Sequence, residues 1–171
     1  MALSPSVVPA PAQAAGADMY LDLTLKRAGK AKGESVAAGH QDDIVLVGFS
    51  WGVGAAGDAV AALSTGRRSY RHLVVCKRID TASTALMSAV ATNDEVRSAK
   101  LSMRKAGGEQ EDFFSITLEK ARVVAYDIDT DASGYPLEKV TLSFQKVAAE
   151  YRVQSAAGQM GASHSFTDDL S

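Results

Sequence analysis

Cysteine is almost absent from this sequence of 171 residues, which contains Cys76 alone. A single cysteine can form neither an internal disulfide nor a zinc site built from several cysteines. Cys76 lies in an apolar run, where a free cysteine usually behaves as a small packed residue. No apolar stretch is long enough to cross a bilayer. We therefore expect neither a disulfide-stabilised protein nor one inserted in a membrane.

An excess of charge of one sign is also lacking, because the formal net charge is -2 and the pI is about 5.9. A general attraction to nucleic acids or acidic membranes is therefore not indicated. Of the four prolines, three lie near the N-terminus and interrupt the apolar run that a signal peptide would need. We predict that residues 1–17 are a flexible extension and that any export occurs without a conventional signal peptide.

Short alternating segments dominate the middle of the chain. In residues 20–25 leucines alternate with polar residues, which is the period-two pattern of a half-buried strand. Residues 44–51 are apolar at both alternating sets of positions and are predicted to form a central strand. Further strands are predicted at residues 73–79, 99–103, 113–118, 121–126 and 139–152. Such recurring strands, with turn signals between them, predict a mainly β protein, a compact antiparallel β-barrel of two sheets.

One segment departs from this pattern and predicts a single short α-helix. Leu86, Met87 and Val90 share one helical face within residues 84–91, and Ser83 is a candidate N-cap. Residues 52–69 are rich in glycine, alanine and serine and are predicted to form a long loop, a kind of segment that is often functional. The small, polar residues 154–171 predict a flexible tail. The folded domain is thus predicted to span residues 18–153.

Several short motifs occur in an order that resembles one protein family. They are residues 19–23, 32–35, His40, Ile44, residues 49–52, 79–83, 86–87, 116–118, 121–123, 136–138 and 140–144. Each motif alone is weak, but the ordered set is specific and covers residues 18–152. In this set the chain resembles the haemolysin-coregulated protein (Hcp) family of type VI secretion systems.

The resemblance implies a structural protein rather than an enzyme, with no catalytic residue, cofactor or metal. Its copies would form hexameric rings that stack into the inner tube of the secretion system. Other partners implied are the contractile sheath, the spike proteins and secreted effector proteins, which the rings would carry or chaperone. The protein would be cytoplasmic before and during assembly and then secreted.

Contacts between subunits or rings are expected in two segments. One is residues 52–70, by analogy with an extended loop of the family, and the other is the charged turn at residues 32–35. The expected contact residues are Lys32, Glu34, Gly52, Gly54, Asp58, Arg67, Arg68 and Tyr70.

The pattern Gly48-Phe49-Ser50-Trp51-Gly52 is a rival signal, because it matches the G-x-S-x-G nucleophile elbow of α/β-hydrolases. Asp127 and His164 follow in the matching order. An elbow should open a helix, however, and each glycine between residues 52 and 57 would cost about 1 kcal/mol in a helix. A small serine hydrolase using Ser50 is the alternative function.

A monomeric β-barrel ligand carrier is a third hypothesis, since small barrels can hold a ligand.

Two further patterns could indicate ligands. Aspartates at alternate positions from Asp127 to Asp131, followed by Glu138, imitate a calcium-binding loop. Ala132 occupies the position where that loop needs glycine, so an acidic hairpin is the preferred interpretation.

The basic cluster at residues 67–78 could bind phosphates, but Tyr70 is the single nearby aromatic, so a base-stacking surface is not evident. These cations are expected on a solvated surface or beside acidic groups of a neighbouring subunit. His40 is interpreted as a hydrogen-bonded loop residue.

Overall fold

The computed structural model describes residues 16–55, 68–106, 111–155 and 160–171. These ranges contain nine strands and one helix. The elements are β1 Ala17–Leu25, β2 Gly29–Lys30, β3 Ile44–Ala55, β4 Arg68–Lys77, α1 Ser83–Thr92, β5 Glu95–Lys105, β6 Asp112–Thr130, β7 Pro136–Ser143, β8 Lys146–Gln154 and β9 Met160–Asp169. No helix within these ranges is long and apolar enough to cross a membrane.

Six strands close on themselves through antiparallel hydrogen-bonded pairs. Their order is β1-β3-β4-β7-β6-β5, and β5 pairs with β1 to complete the ring. β8 and β9 extend the sheet from the first half of β6, while β2 adds a short pairing beside β1. The prediction of a mainly antiparallel β fold with one helix is confirmed, but the described strands form one continuous hydrogen-bonded sheet rather than two.

β6 belongs to both parts of the sheet. The sequence predicted two separate strands here, but residues 112–130 form one strand of 19 residues. Its first half lies between β5 and β8, and its second half pairs with β7. Lys120, with φ 48°, lies between the two halves in the left-handed region, so the strand can change direction without ending. The reverse error occurred at residues 139–152, which a turn at residues 144–145 divides into β7 and β8.

β3 lies between β1 and β4, as predicted, but it is not buried on both faces. Ile44 and Leu46 are buried, whereas Val45 and Val47 are 48% and 50% exposed. The strand also continues to Ala55, and β4 begins at Arg68. The predicted loop of residues 52–69 was therefore wrong at both ends, because backbone pairing between β3 and β4 extends past the glycines. Residues 56–67 lie outside the described residues.

The core consists of the inward-facing aliphatic side chains of the closed strands and of α1. Fully buried members include Leu21, Leu23, Leu101, Leu118 and Leu142. Burying each such side chain contributes about 1.5–3 kcal/mol relative to exposure. In β1 and β5 most of these buried residues alternate with more exposed ones, as the period-two pattern predicted.

α1 packs against β6 and contributes Leu86 and Ala89 to the core. Met87, predicted on the same face, is 39% exposed, because one residue turns the helix by about 100° away from Leu86. The predicted N-cap role of Ser83 was wrong. Ala82 is the N-cap and makes no capping bond with its side chain, while the Ser83 hydroxyl accepts a hydrogen bond from the Asp80 backbone N–H at 3.0 Å.

The flexible tail predicted for residues 154–171 is also corrected by the structure. β8 continues to Gln154, and residues 160–169 form β9, which pairs with β8 from Lys146 to Gln154. Most side chains of β9 are exposed, so the sequence carried no burial pattern to reveal the strand. At the other end, residues 1–15 of the predicted extension lie outside the described residues, and Ala17 already belongs to β1.

Candidate functional site

The structure places the predicted contact residues in two groups. Lys32 and Glu34 are exposed on the loop between β2 and β3. Gly52, Gly54, Arg68 and Tyr70 lie together at the paired ends of β3 and β4, with Val53 opposite Tyr70 and Ala55 opposite Arg68. Asp58 and Arg67 lie outside the described residues. The sequence therefore placed four of these residues in one region, but it assigned them to a loop rather than to a strand pair.

Arg68 and Tyr70 hold the C-terminal strand against β4. The Tyr70 hydroxyl donates to the Asp168 carboxylate at 2.6 Å, and Arg68 Nε lies 2.5 Å from the same oxygen. Arg68 also donates to the backbone carbonyl of Asp169 at 3.0 Å. Burial, followed by the bond to Asp168, raises the pKa of Tyr70, while the hydrogen bond from Tyr70 is the main cause that lowers the pKa of Asp168. Part of the basic cluster is thus paired within one chain.

A second polar cluster anchors the loop of residues 31–43. His40 is buried and stacks on Tyr20 with a ring separation of 4.3 Å. Its Nδ1 lies 2.8 Å from Asp43 Oδ2, and its Nε2 lies 2.9 Å from Asp112 Oδ1. Arg104 Nη1 donates to the Ala38 carbonyl at 3.0 Å, so β5 also holds the loop. The interpretation of His40 as a hydrogen-bonded loop residue agrees with this geometry.

Lys30 and Arg104 supply positive charge on the two sides of this cluster. Lys30 Nζ lies 2.7 Å from Asp43 and 3.3 Å from Asp22. Burial lowers the pKa of Lys30, but the hydrogen bonds to these two carboxylates outweigh it, so the pKa is raised. Arg104 Nε lies 3.3 Å from Asp112. The cluster therefore joins the loop to β1, β2, β5 and β6 through alternating charges.

A third polar cluster lies inside the barrel around Lys77. Its ammonium forms a salt bridge with Glu138, and both side chains are fully buried. The ammonium also lies 2.8 Å from Asp80 Oδ1 and donates to the Ser83 hydroxyl at 3.0 Å. The Tyr126 hydroxyl donates to the other oxygen of Glu138. These bonds join β4, α1, β6 and β7.

This third cluster bears on two chemical interpretations. A lysine beside a serine occurs in some hydrolases, but Lys77 and Ser83 are both buried and saturated by other partners. Glu138 points to Lys77 and so does not close a calcium loop. Hydrogen bonds from Ser133 and from the backbone of Tyr135 hold the pKa of Asp131 well below its usual range. Within the described ranges no group of His, Cys, Asp and Glu is arranged to hold a metal ion.

Ser50 lies exposed in β3, opposite Val74, and the strand continues beyond it instead of turning into a helix. Asp127 lies opposite Lys139 in the β6–β7 pair, and His164 lies opposite Tyr151 in the β8–β9 pair. No hydrogen bond between described residues joins Ser50, Asp127 and His164. The G-x-S-x-G match therefore lacks the strand–turn–helix context that the elbow requires.

The barrel interior is filled by the aliphatic core, which does not favour a ligand carrier.

Sequence reasoning missed the partners within the two buried clusters. One usable signal was the alternation of Leu73, Val75 and Lys77, which places the lysine on the inward face of β4. A buried lysine requires a carboxylate partner, but the pattern does not say which. For His40 the signal is weaker still, since Asp112 is 72 residues away along the chain.

Comparisons with known proteins agree on one family. The family model described as "Type VI secretion system effector, Hcp" matches residues 20–151. Protein hcp1 of Pseudomonas aeruginosa is 34% identical over 146 residues, which cover 82% of this chain and 88% of that protein. The Major exported protein of the same species is 26% identical over 137 residues, covering 74% of this chain and 78% of that protein.

A solved structure of a type six secretion system protein has a similar fold. It matches with a TM-score of 0.81 at 25% identity and covers 91% of this chain and 96% of that chain. The span matched by the family model runs from Tyr20 in β1 to Tyr151 in β8, and so contains α1 but not β9.

Proposed function

The chain belongs to the Hcp family of type VI secretion system proteins, and we propose that its copies form hexameric rings which stack into the inner tube of that system. The family is one of structural tube proteins, so the role proposed here is mechanical assembly rather than catalysis. A stacked tube needs two kinds of contact, namely a contact that closes a ring and a head-to-tail contact that repeats along the axis.

The observation that carries this proposal is the exposed apolar surface along strands with an unpaired edge. Beyond Leu46, the described part of β3 pairs with β4 alone, and residues 124–130 of β6 pair with β7 alone. Val47 and Val53 on β3 are 50% and 48% exposed, and Val124 and Ile128 on β6 are 45% and 51% exposed. Free strand edges with apolar side chains are ready to bind another chain, and ring closure would cover them.

The buried polar clusters suit a mechanical subunit. The Lys77–Glu138 cluster connects three strands to α1, and the His40 cluster connects the loop of residues 31–43 to the barrel. Fully paired buried polar groups make packing specific, because any rearrangement would leave a charge unpaired. A ring subunit must present the same surface in each copy, and a rigid barrel meets that need.

The predicted contact residues have distinct roles in this proposal. Lys32 and Glu34 are exposed on a loop that lines an open groove with Val45 and Val47 of β3, and we assign them to the contact within a ring. The ends of β3 and β4, with Gly54, Arg68 and the segment of residues 56–67 that contains Asp58 and Arg67, are assigned to the contact between rings.

The further partners that we propose are those that the family resemblance implies. The tube would lie within the contractile sheath, carry the spike proteins at its tip, and hold effector proteins that it carries or chaperones. The chain would be cytoplasmic during assembly and then exported without a conventional signal peptide. The name of the Pseudomonas aeruginosa relative, Major exported protein, supports export.

Negative-stain electron microscopy of the purified protein tests the proposal, with the mass in solution measured by light scattering. Six-fold rings with an open centre, or stacks of such rings, are the expected result. A uniform monomer of 17.9 kDa across a wide range of concentrations would contradict it.

Two surface variants test which face forms the contact. Val47→Glu on β3 and Val124→Glu on β6 introduce a charge where apolar surface would be buried, so each should shift the mass towards the monomer. Met87→Glu on α1 is a matched control, because Met87 is comparably exposed at 39% and belongs to the helix rather than to either strand. If Met87→Glu lost its rings while both strand variants kept theirs, the assignment of the contact face would be overturned.

A further inference from the structure

His40 occupies an unusual position, because both of its ring nitrogens face carboxylates. Nδ1 lies 2.8 Å from Asp43 Oδ2, and Nε2 lies 2.9 Å from Asp112 Oδ1. A neutral imidazole carries one N–H group and can donate to only one of them, which leaves a lone pair facing an anionic oxygen. The imidazolium ion donates from both nitrogens. The imidazolium ion therefore satisfies both observed contacts while both carboxylates stay ionised.

The charges around His40 support the same protonation state. The charged groups that form ion pairs in the cluster are His40, Lys30 and Arg104 as cations and Asp22, Asp43 and Asp112 as anions. Asp18 of β1 also acts on the stacked Tyr20, and both Glu111 and, on β8, Arg152 lie beside Asp112. With the ring protonated, both carboxylates that contact it face a cation. The stacked Tyr20 adds no charge, because burial and then Asp18 raise the pKa of its phenol. Deprotonation would remove the cation between the buried Asp43 and the partly exposed Asp112, which is costly for the buried carboxylate.

Among the described residues, the link through His40 is one of two that hold the loop of residues 31–43 to the β5–β6 end of the barrel. Within the loop, the backbone N–H groups of Gly33 and Ser35 donate to the carbonyls of Asp42 and Asp43 at 2.8 and 3.1 Å. These bonds shape the loop but do not connect it to β5 or β6. That connection consists of the His40–Asp112 pair and the bond from Arg104 to the Ala38 carbonyl.

The loop presents apolar surface to solvent beside β3. Val36 is 85% exposed at its tip, and residues 34–37 line an open groove together with Val45 and Val47. This groove belongs to the face that the proposed function assigns to the contact within a ring. The position of the loop therefore determines the shape of that face.

We infer that His40, Asp43 and Asp112 form a proton-dependent clamp, which holds the loop of residues 31–43 in the conformation needed for the contact within a ring. When His40 loses its proton, one of its two carboxylate contacts is lost, the loop loosens and ring assembly weakens. Ring assembly should therefore weaken as the pH rises. This inference concerns regulation and rests on the proposed ring function.

Two measurements on the full-length protein test the clamp between about pH 5 and pH 9, the range in which histidines titrate. Hydrogen exchange of the backbone amides of residues 33–43 reports how firmly the loop is held. Expressing the rates as protection factors removes the intrinsic effect of pH on exchange. Light scattering in the same buffers reports assembly. We expect protection to fall about tenfold, the effect of losing roughly one charged hydrogen bond, with the fall centred where NMR shows the His40 ring losing its proton. The mean mass should fall over the same pH range.

Asp112→Asn is the decisive variant. The asparagine amide can donate to the unprotonated Nε2 of a neutral ring while Nδ1–H donates to Asp43, so every contact is satisfied without the extra proton. Loop protection and assembly should then become independent of pH. Glu119→Gln is the control, because Glu119 is an exposed carboxylate of the same strand outside residues 124–130, and the variant should keep the profile of the unaltered protein.

The results separate the clamp from the ring. Loop protection that stays constant while His40 titrates would overturn the clamp, and this measurement stands alone if Asp112→Asn does not fold. A loop that loosens with no change in assembly would overturn the regulatory link. A protein that is monomeric at every pH would contradict the proposed function, and the loop measurement on that monomer would still decide the clamp.

Discussion

The Tyr70 hydroxyl donates a hydrogen bond of 2.6 Å to the Asp168 carboxylate, across 98 residues of sequence. This bond joins the start of β4 to the end of β9. The strand it secures lies outside the span that the family model matches and exposes most of its side chains. β9 therefore depends on its backbone pairing with β8 and on contacts such as this one, rather than on burial of apolar surface.

Tyr70→Phe should loosen β9 while leaving the barrel folded. The substitution keeps the ring between Trp51 and Phe144 and removes only the hydroxyl donor. Loss of one hydrogen bond should speed hydrogen exchange of the β9 amides by about threefold to tenfold. Tyr135→Phe is the control, because Tyr135 is 58% exposed and no hydrogen bond from its hydroxyl is found within the described ranges. Equal effects of the two substitutions would contradict the assigned role of Tyr70.

Lys77→Met should strongly destabilise the protein, because it leaves Glu138 buried with its charge uncompensated. Breaking a buried ion pair in this way costs about 3–5 kcal/mol. Urea unfolding monitored by circular dichroism, at a protein concentration that fixes the assembly state, gives the free energy of unfolding.

The double variant Lys77→Met/Glu138→Gln should be less destabilised than the sum of the two single variants, because Lys77→Met leaves the Glu138 charge without its cation and that cost disappears when residue 138 is neutral. Lys139→Met on β7 is a matched control, since Lys139 is exposed and should change stability by no more than about 0.5 kcal/mol. Additive effects of the two buried substitutions would mean that the pair is not coupled.

The contacts of the C-terminal strand should be lost in acid before the barrel unfolds. Hydrogen bonds from the Ser171 side chain and backbone, with a smaller effect of Lys146, lower the pKa of Asp169 from 3.8 to about 2. The hydrogen bond from Tyr70 likewise lowers the pKa of Asp168. Because the folded-state pKa values lie below the unfolded ones, these contacts stabilise the strand above about pH 4, and the stabilisation is lost as the pH falls towards 2.

NMR titration of the two carboxyl carbons, together with hydrogen exchange of β9 at each pH, checks this prediction. Asp169→Asn should remove the Asp169 step, whereas Asp127→Asn on the exposed part of β6 should leave the profile of β9 unchanged. Titration of Asp169 at its ordinary value would refute the assigned hydrogen bonds.

Gly33→Ala should be destabilising because the loop backbone folds back against it. A Cβ atom on Gly33 would lie 2.3 Å from the Asp43 carbonyl oxygen and 2.6 Å from the Ile44 Cα. Backbone cannot yield as a flexible side chain can, so we expect a cost of about 3 kcal/mol, the upper part of the range for overpacking. Gly48→Ala is the control, because a Cβ there meets nothing within 4 Å. Thermal unfolding of both variants would show the difference, and a similar melting temperature for the two would contradict it.

The elements that sequence reasoning predicted well are those whose signal is local. Leu21, Leu23 and Leu25 alternate with exposed residues in β1, and all three are buried as the pattern predicted. The short helix was predicted because the spacing of apolar residues changes locally from that of a strand to that of a helix. The ordered motifs were sufficient to point to the family that the comparisons show. Where pairing depends on the backbone alone, as in β9, side-chain pattern carries no information and the prediction failed.

The sequence by itself thus determined which faces of the strands are apolar, where the helix forms and to which family the chain belongs. Only the tertiary structure decided which polar groups meet: Lys77 with Glu138 across 61 residues, His40 with Asp112 across 72, and Tyr70 with Asp168 across 98. The physical reason is that alternation selects a face of a strand, whereas strand order and register select the neighbour on that face. Register is a property of the closed sheet, and no single segment of this chain specifies it.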